Sequence, residues 1–224
     1  FISNRLGTPQ LWLTQGGQTR PITKKARRLQ AFVWALKGEG LVYVADEALW
    51  LNLVGLPQQK LDTPFAVKNV FQAEEARVLL NVSLNGQARL IWYDIKTGDY
   101  DVLLNRAVDW AQRVDEQVLI TNDEQGKLQK YVNGEQVAMP SLSDIKLQWR
   151  YFLRFDKDGN RQLYFQDKRQ NIWCYEPLSD SARIVGRYDS QSLYVTDISA
   201  IKQQLLSDRF VADTKALFTL NQEQ

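Results

Sequence analysis

The sequence contains no histidine, one cysteine and one methionine among 224 residues. Each shortage excludes chemistry. A serine or cysteine nucleophile served by an imidazole base cannot be assembled from this chain. Histidine-containing zinc sites are excluded, and one thiolate cannot make a cysteine cluster. Imidazole protonation cannot act as a switch near neutral pH. Cys174 has no intrachain disulfide partner, and beside Trp173 it reads as a small buried hydrophobe. A single cysteine fits a reducing or an oxidising compartment equally well. Long apolar runs are absent too: no stretch approaches the roughly 18 to 20 residues of a membrane-spanning helix. Neither sign of charge prevails, since 28 basic residues face 26 acidic ones. That balance argues against a phosphate-tracking surface and direct nucleic-acid contact. The one basic cluster, Lys24-Lys25-Ala26-Arg27-Arg28, reads as a solvated loop.

What the sequence does have is a repeat. A short apolar run ending in a small polar residue occurs as Phe1–Asn4, Tyr43–Asp46, Leu80–Ser83, Leu119–Asn122, Tyr164–Asp167 and Phe210–Asp213, at steps of 42, 37, 39, 45 and 46 residues. A second ladder, of aromatics, follows it: Trp12, Trp50, Trp92, Tyr131, Trp173 and Phe218, at steps of 38, 42, 39, 42 and 45. A third precedes the first in the middle copies, with Trp34, Phe71, Trp110 and Trp149 at steps of 37, 39 and 39. A fourth segment closes the repeat at Gln59–Leu61, Tyr100–Leu104, Gln136–Ala138 and Arg183–Val185. Each repeat is thus four short segments, a to d, rich in β-branched and aromatic residues. Turn residues separate them, as at Lys96–Asp99 and Asn133-Gly134 between c and d.

Periods near 40 residues built from four strands are the signature of β-propeller blades. The expected fold is all-β: a six-bladed propeller with four-stranded antiparallel blades, as a single domain over residues 1–224. Its blades are placed at about 1–23, 29–62, 67–104, 107–140, 145–187 and 192–224. The first begins at segment b and the last stops after segment c, so both are expected to be incomplete, with residues upstream of Phe1 supplying the missing strands. Three-stranded end blades are the alternative. Ile198–Asp208 reads as partly helical.

The first copy, Phe1-Ile2-Ser3-Asn4-Arg5-Leu6-Gly7-Thr8-Pro9-Gln10-Leu11-Trp12-Leu13, resembles the repeat of TolB-like propellers. Asp158-Gly159-Asn160-Arg161 is similar to the a–b turn of that family, with Lys157 where the family has proline. The resemblance implies a non-enzymatic binding protein. It points first to the periplasmic sensor domain of a membrane-anchored transcriptional regulator of the CadC and ToxR type, attached to the membrane only through upstream sequence. A free periplasmic TolB-like scaffold and the propeller of a prolyl-oligopeptidase-type hydrolase are the alternatives it leaves.

Candidate sites are few, and no cofactor is expected. Asp156, Asp158 and Asn160 have the spacing of a calcium loop, with Asp167 at the twelfth position. The sixth position, which needs glycine, is Arg161, so a hairpin turn is the favoured reading. Arg28, Lys68, Arg106 and Lys146, at steps of 40, 38 and 40, would make a positive ring at a channel mouth if the d–a loops met there; otherwise they are solvated loop charges. The tryptophan ladder suggests core packing rather than a ligand cage. Trp34, Trp110 and Trp149, on innermost strands, are the candidates to face the channel. The expected partner is a protein or small-molecule ligand at that mouth.

Overall fold

The computed structural model describes residues 1–3, 5, 7–15, 17–23, 29–53, 56–123, 126–143, 145, 147–155, 161–188 and 193–195. Side chains of 15, 147–155, 188 and 193–195 are outside that description. The chain divides into two compact units, Phe1–Asn122 and Asp123–Gln224.

Every sheet is a meander of consecutive antiparallel strands. The first has three: β1 (Ile2–Ser3), β2 (Gln10–Gln15) and β3 (Gln18–Pro21). The second has four: β4 (Leu29–Ala35), β5 (Gly40–Ala45), β6 (Ala48–Leu53) and β7 (Gln59–Lys60). The third has β8 (Ala66–Glu74), β9 (Arg77–Leu84), β10 (Gln87–Asp94) and β11 (Tyr100–Leu104). The fourth runs β12 (Ala111–Arg113), β13 (Val118–Asn122), β14 (Leu128–Val132) and β15 (Glu135–Val137). The fifth comprises β16 (Leu147–Phe155), β17 (Arg161–Asp167), β18 (Asn171–Glu176), β19 (Ser181–Tyr188) and β20 (Leu193–Val195).

The four segments of the sequence repeat are these strands in order, and the first sheet lacks segment a as expected. Five blades, not the expected six, are present among the described residues. Leu193–Val195 was expected to open a sixth blade. Instead it pairs with β19, Gly186 opposite Val195 and Tyr188 opposite Leu193. The physical reason is proximity: a strand resuming within a few residues of β19 meets its open edge, where unpaired backbone groups need partners. The other positions assigned to that blade, Phe210–Asp213 and Phe218 among them, lie outside the described residues, as does Ile198–Asp208.

Two-residue turns set the register of the hairpins. Asp46 and Glu47 (φ 53° and 61°), Asn85 and Gly86 (51° and 76°), and Asn133 and Gly134 (52° and 83°) all take positive φ. Such turns match the twist of the strands they join. In the longer turn after β10, the Asp94 carboxylate accepts from the N–H groups of Lys96 (2.8 Å) and Thr97 (3.2 Å).

Alternation then assigns the core. Along β5, Val42 and Val44 face the third sheet and share a core with Val67, Val70, Val78, Leu80 and Val82. Leu41, Tyr43 and Ala45 point the other way, to Leu11 of the first sheet. Gly40 shows why a side chain is missing on the first of these faces. A Cβ there would sit 3.2 Å from the methyl ends of Leu36, Leu51 and Leu53. The b and c ladders of the sequence are one structural device. Tyr43 lies opposite Trp50 and Phe165 opposite Trp173. Both pairs stack, with centroids 6.2 and 6.4 Å apart and planes within 10°. Burial pushes the Tyr43 phenol up to about 12.

In the first unit, side-chain amides bind β12 and the segment leading into it. Asn81 donates to the Val108 carbonyl (2.5 Å) and accepts from the Val108 N–H (3.3 Å). Gln72 donates to the Arg113 carbonyl (3.2 Å) and accepts from its N–H (2.7 Å). Each amide replaces a missing backbone partner, so these buried polar groups are satisfied. In the second unit Asp167, at the end of β17, accepts from the N–H groups of Arg169 (2.8 Å) and Asn171 (2.9 Å), the Asn171 amide (2.8 Å) and the Trp173 indole (2.9 Å). Burial alone would raise its pKa, but these donors outweigh it and hold the carboxyl below the ordinary range.

Candidate functional site: a groove between the first and second sheets

The structure describes only some of the residues that even spacing had grouped. Arg28 and Lys146 lie outside the described residues, as do Asp156, Asp158 and Asn160. Among the described residues no group of three or more His, Cys, Asp or Glu could hold a metal ion. Lys68 does not stand as an isolated positive charge: its ammonium donates to Glu47 at 2.5 Å. Arg106 is half-buried in the loop after β11.

The aromatics of the a segment also fall at different levels. Trp34 lies opposite Leu41. Phe71 sits in a register shift between Val70 and Gln72, and Trp149 in one between Leu147 and Tyr151. Trp110 precedes β12, its backbone N–H bound to the Asn122 side chain at 2.8 Å. Trp34 and the Lys68–Glu47 contact lie towards opposite ends of β5, since Leu41 is near its start and Glu47 follows its end. Six residues of extended chain place those ends on the order of 15 Å apart.

Trp34 does belong to a recess, in other company. Two cross-strand rows meet. One runs Trp34–Leu41–Asn52 across β4, β5 and β6, and the other Leu13–Arg20 across β2 and β3. The adjacent row of the second sheet, Phe32–Tyr43–Trp50, is apolar and packs in one core with Leu11 and Ile22. At the level of Leu41 the flanking positions are Asn52 and Arg20, and the packing opens. The result is a groove of about 220 Å³, lined by Leu13, Arg20, Trp34, Leu41, Asn52 and Leu56. Trp34 is 39% exposed and Leu56 58%. The Asn52 amide makes only a long contact, 3.5 Å, to the Leu56 carbonyl. The guanidinium of Arg20 has no ion pair or hydrogen bond among the described residues.

The spacing arguments singled out Trp34 and missed the rest. The signal available was the hairpin Leu13–Arg20, whose tight turn at Gly17 puts an arginine directly across from a leucine.

No protein-family model matches the sequence, and no curated protein matches it. Solved structures do resemble the chain. An oligogalacturonate lyase from Vibrio parahaemolyticus superposes with a TM-score of 0.61 at 13% identity, over 84% of this chain and 61% of that one. A TolB-like protein from Agrobacterium tumefaciens gives 0.56 at 14%, over 81% and 75%. TolB from Acinetobacter baumannii gives 0.51 at 15%, over 82% and 50%, so this chain spans half the length of that protein. The shared feature is the propeller fold. At these identities the likeness reaches no further, and the neighbours include an enzyme as well as TolB proteins. The protein is an all-β chain of the propeller class with four-stranded antiparallel blades. No helix among the described residues is long and apolar enough to cross a membrane.

Proposed function

We propose that this chain is a non-catalytic binding propeller, acting in the periplasm as the sensory or interaction domain of a membrane-anchored transcriptional regulator. The observation that carries the binding role is the groove. It combines a half-exposed tryptophan, a more exposed leucine and an arginine with no ion pair or hydrogen bond among the described residues. Partly exposed groups that converge on one recess are what a recognition site needs. The fold likeness to two TolB structures supports a propeller used for interaction, and the resemblance of Phe1–Leu13 to the TolB-like repeat points the same way. In the regulator reading, occupation of the groove favours one conformational state of the domain and so biases the output domain. A free periplasmic scaffold is the second reading, supported by the same likeness.

Two measurements on the full-length protein test the proposal. Alkaline phosphatase, which is active only after export, is fused to the C-terminus; activity is expected, and an inactive but intact fusion would overturn the periplasmic assignment. Genome-wide transcription is then compared between wild type and Trp34→Ala. A defined set of genes changing together supports the regulator, whereas unchanged transcription rejects it in favour of the scaffold.

A further inference from the structure

We infer that the groove takes a small organic monocarboxylate with a flat apolar body, its carboxylate on Arg20 and its body on Trp34. The inference rests on the binding role proposed above and narrows it to a ligand class. Size is the first constraint. Sites for drug-sized ligands run roughly 300–1,000 Å³, and this groove is about 220 Å³, so its occupant is a compact molecule or a short terminal group.

Charge is the second. Among the described residues Arg20 is the one charged residue lining the groove, and no carboxylate among them lines it. A cation would meet no counter-charge among them. A multiply charged anion would find a single guanidinium for all its charge. A monoanion is matched, and the planar fork of an arginine presents two parallel N–H donors to the two oxygens of a carboxylate. Arg20 is across the hairpin from Leu13, so the fold places its backbone beside the groove before a ligand arrives.

The apolar body follows from the remaining lining. Leu13 and Leu56 supply aliphatic surface over the buried Leu41, and Trp34 supplies an indole against which a flat group packs. Asn52 is the polar exception. Its amide holds only the 3.5 Å contact to Leu56, so it can turn to the ligand with little to lose.

The test uses the 224-residue protein labelled with ¹⁵N. The indole N–H cross-peak of Trp34 is identified by its loss in Trp34→Phe. Phenylacetate and its neutral analogue phenylacetamide are the probes, each titrated to about 20 mM, a range suited to ligands of this size. Phenylacetate is expected to shift the Trp34 peak saturably and to bind about tenfold more tightly than the amide. In Arg20→Ala the two probes are expected to bind alike, while distant peaks keep their wild-type positions. Equal binding of acid and amide to wild type would overturn the carboxylate assignment and leave the groove standing as a binding site. No shift with either probe would overturn both. An acid preference that survives in Arg20→Ala would remove Arg20 from the site. A Trp34 peak shielded from a soluble gadolinium chelate in the free protein would mean that the chain itself fills the groove, and would overturn the inference.

Discussion

On one face of β5, Val42 and Val44 look toward the third sheet. They join Ala35 and Leu49 of their own sheet, and Val67, Val78, Leu80 and Val82 of the next, in one continuous apolar core. On the other face, Leu41, Tyr43 and Ala45 look toward the first sheet, where among the described residues Leu11 is buried with them and Ile22 is partly buried against them. The backbone is the same strand and the alternation is equally regular on both sides. What differs is the row at Leu41. There Asn52 and Arg20 stand where the closed face has leucines and valines, and the wedge opens into the groove beside Trp34. Packing continuity, and not strand geometry, decides which face of a blade holds the fold together and which is available to a ligand. Each fully buried valine or leucine on the closed face contributes roughly 1.5–3 kcal/mol; at the groove on the other face, Leu13, Trp34 and Leu56 remain partly in water.

The largest expected effect breaks the closed face. Leu80→Ala, at a fully buried position, should lower unfolding free energy by about 2–5 kcal/mol. Leu13→Ala, on the open face, should cost less than about 1 kcal/mol, because its site is already partly hydrated. Urea unfolding of the two variants measures the contrast directly, and equal losses would refute it.

Next in size is the amide clamp on the far side of the third sheet. Asn81→Leu strands the N–H and C=O of Val108, which Asn81 now satisfies. The expected loss is about 2–3 kcal/mol. Amide exchange at Val108 should accelerate in step; an unprotected Val108 in the wild type would contradict the assignment.

A smaller effect contrasts a fully partnered polar group with Arg20. The Asp167 carboxyl titrates below its usual value, so its folded pKa lies below the unfolded value of about 3.9. Its contribution is complete above pH about 4 and is lost as pH falls through the folded pKa. The urea midpoint should therefore drop below pH about 4 more steeply in wild type than in Asp167→Asn. Parallel pH curves would show that Asp167 contributes no such linkage.

Much of the fold was legible in the sequence because strands b and c form tight hairpins. Their aromatics recur at one level, and Tyr43–Trp50 and Phe165–Trp173 stack across those hairpins. Strand a defeated the same reasoning. Its pairing with strand b is interrupted by register shifts between Leu29 and Ala31, Val67 and Asn69, Val70 and Gln72, and Leu147 and Tyr151. A bulge moves every following side chain by one position and so changes its face. Lys68, Phe71 and Trp149 all fall in these shifts, so even spacing along the chain does not report the face at which each sits. The groove was illegible for another reason. It arises where rows from two sheets meet, and nothing in the spacing from Arg20 to Asn52 reports that both flank Leu41.

The account turns on the open face being left open for recognition and not for stability. The double variant Arg20→Leu/Asn52→Leu replaces the two polar groups by the residue type that closes the opposite face. Its melting temperature, measured beside the response of the Trp34 indole peak to phenylacetate, tests that claim most directly. The account predicts an unchanged or higher melting temperature, by a stability gain of up to about 1 kcal/mol, together with loss of the phenylacetate response. A lower melting temperature would show that Arg20 and Asn52 serve the fold, and would contradict the account.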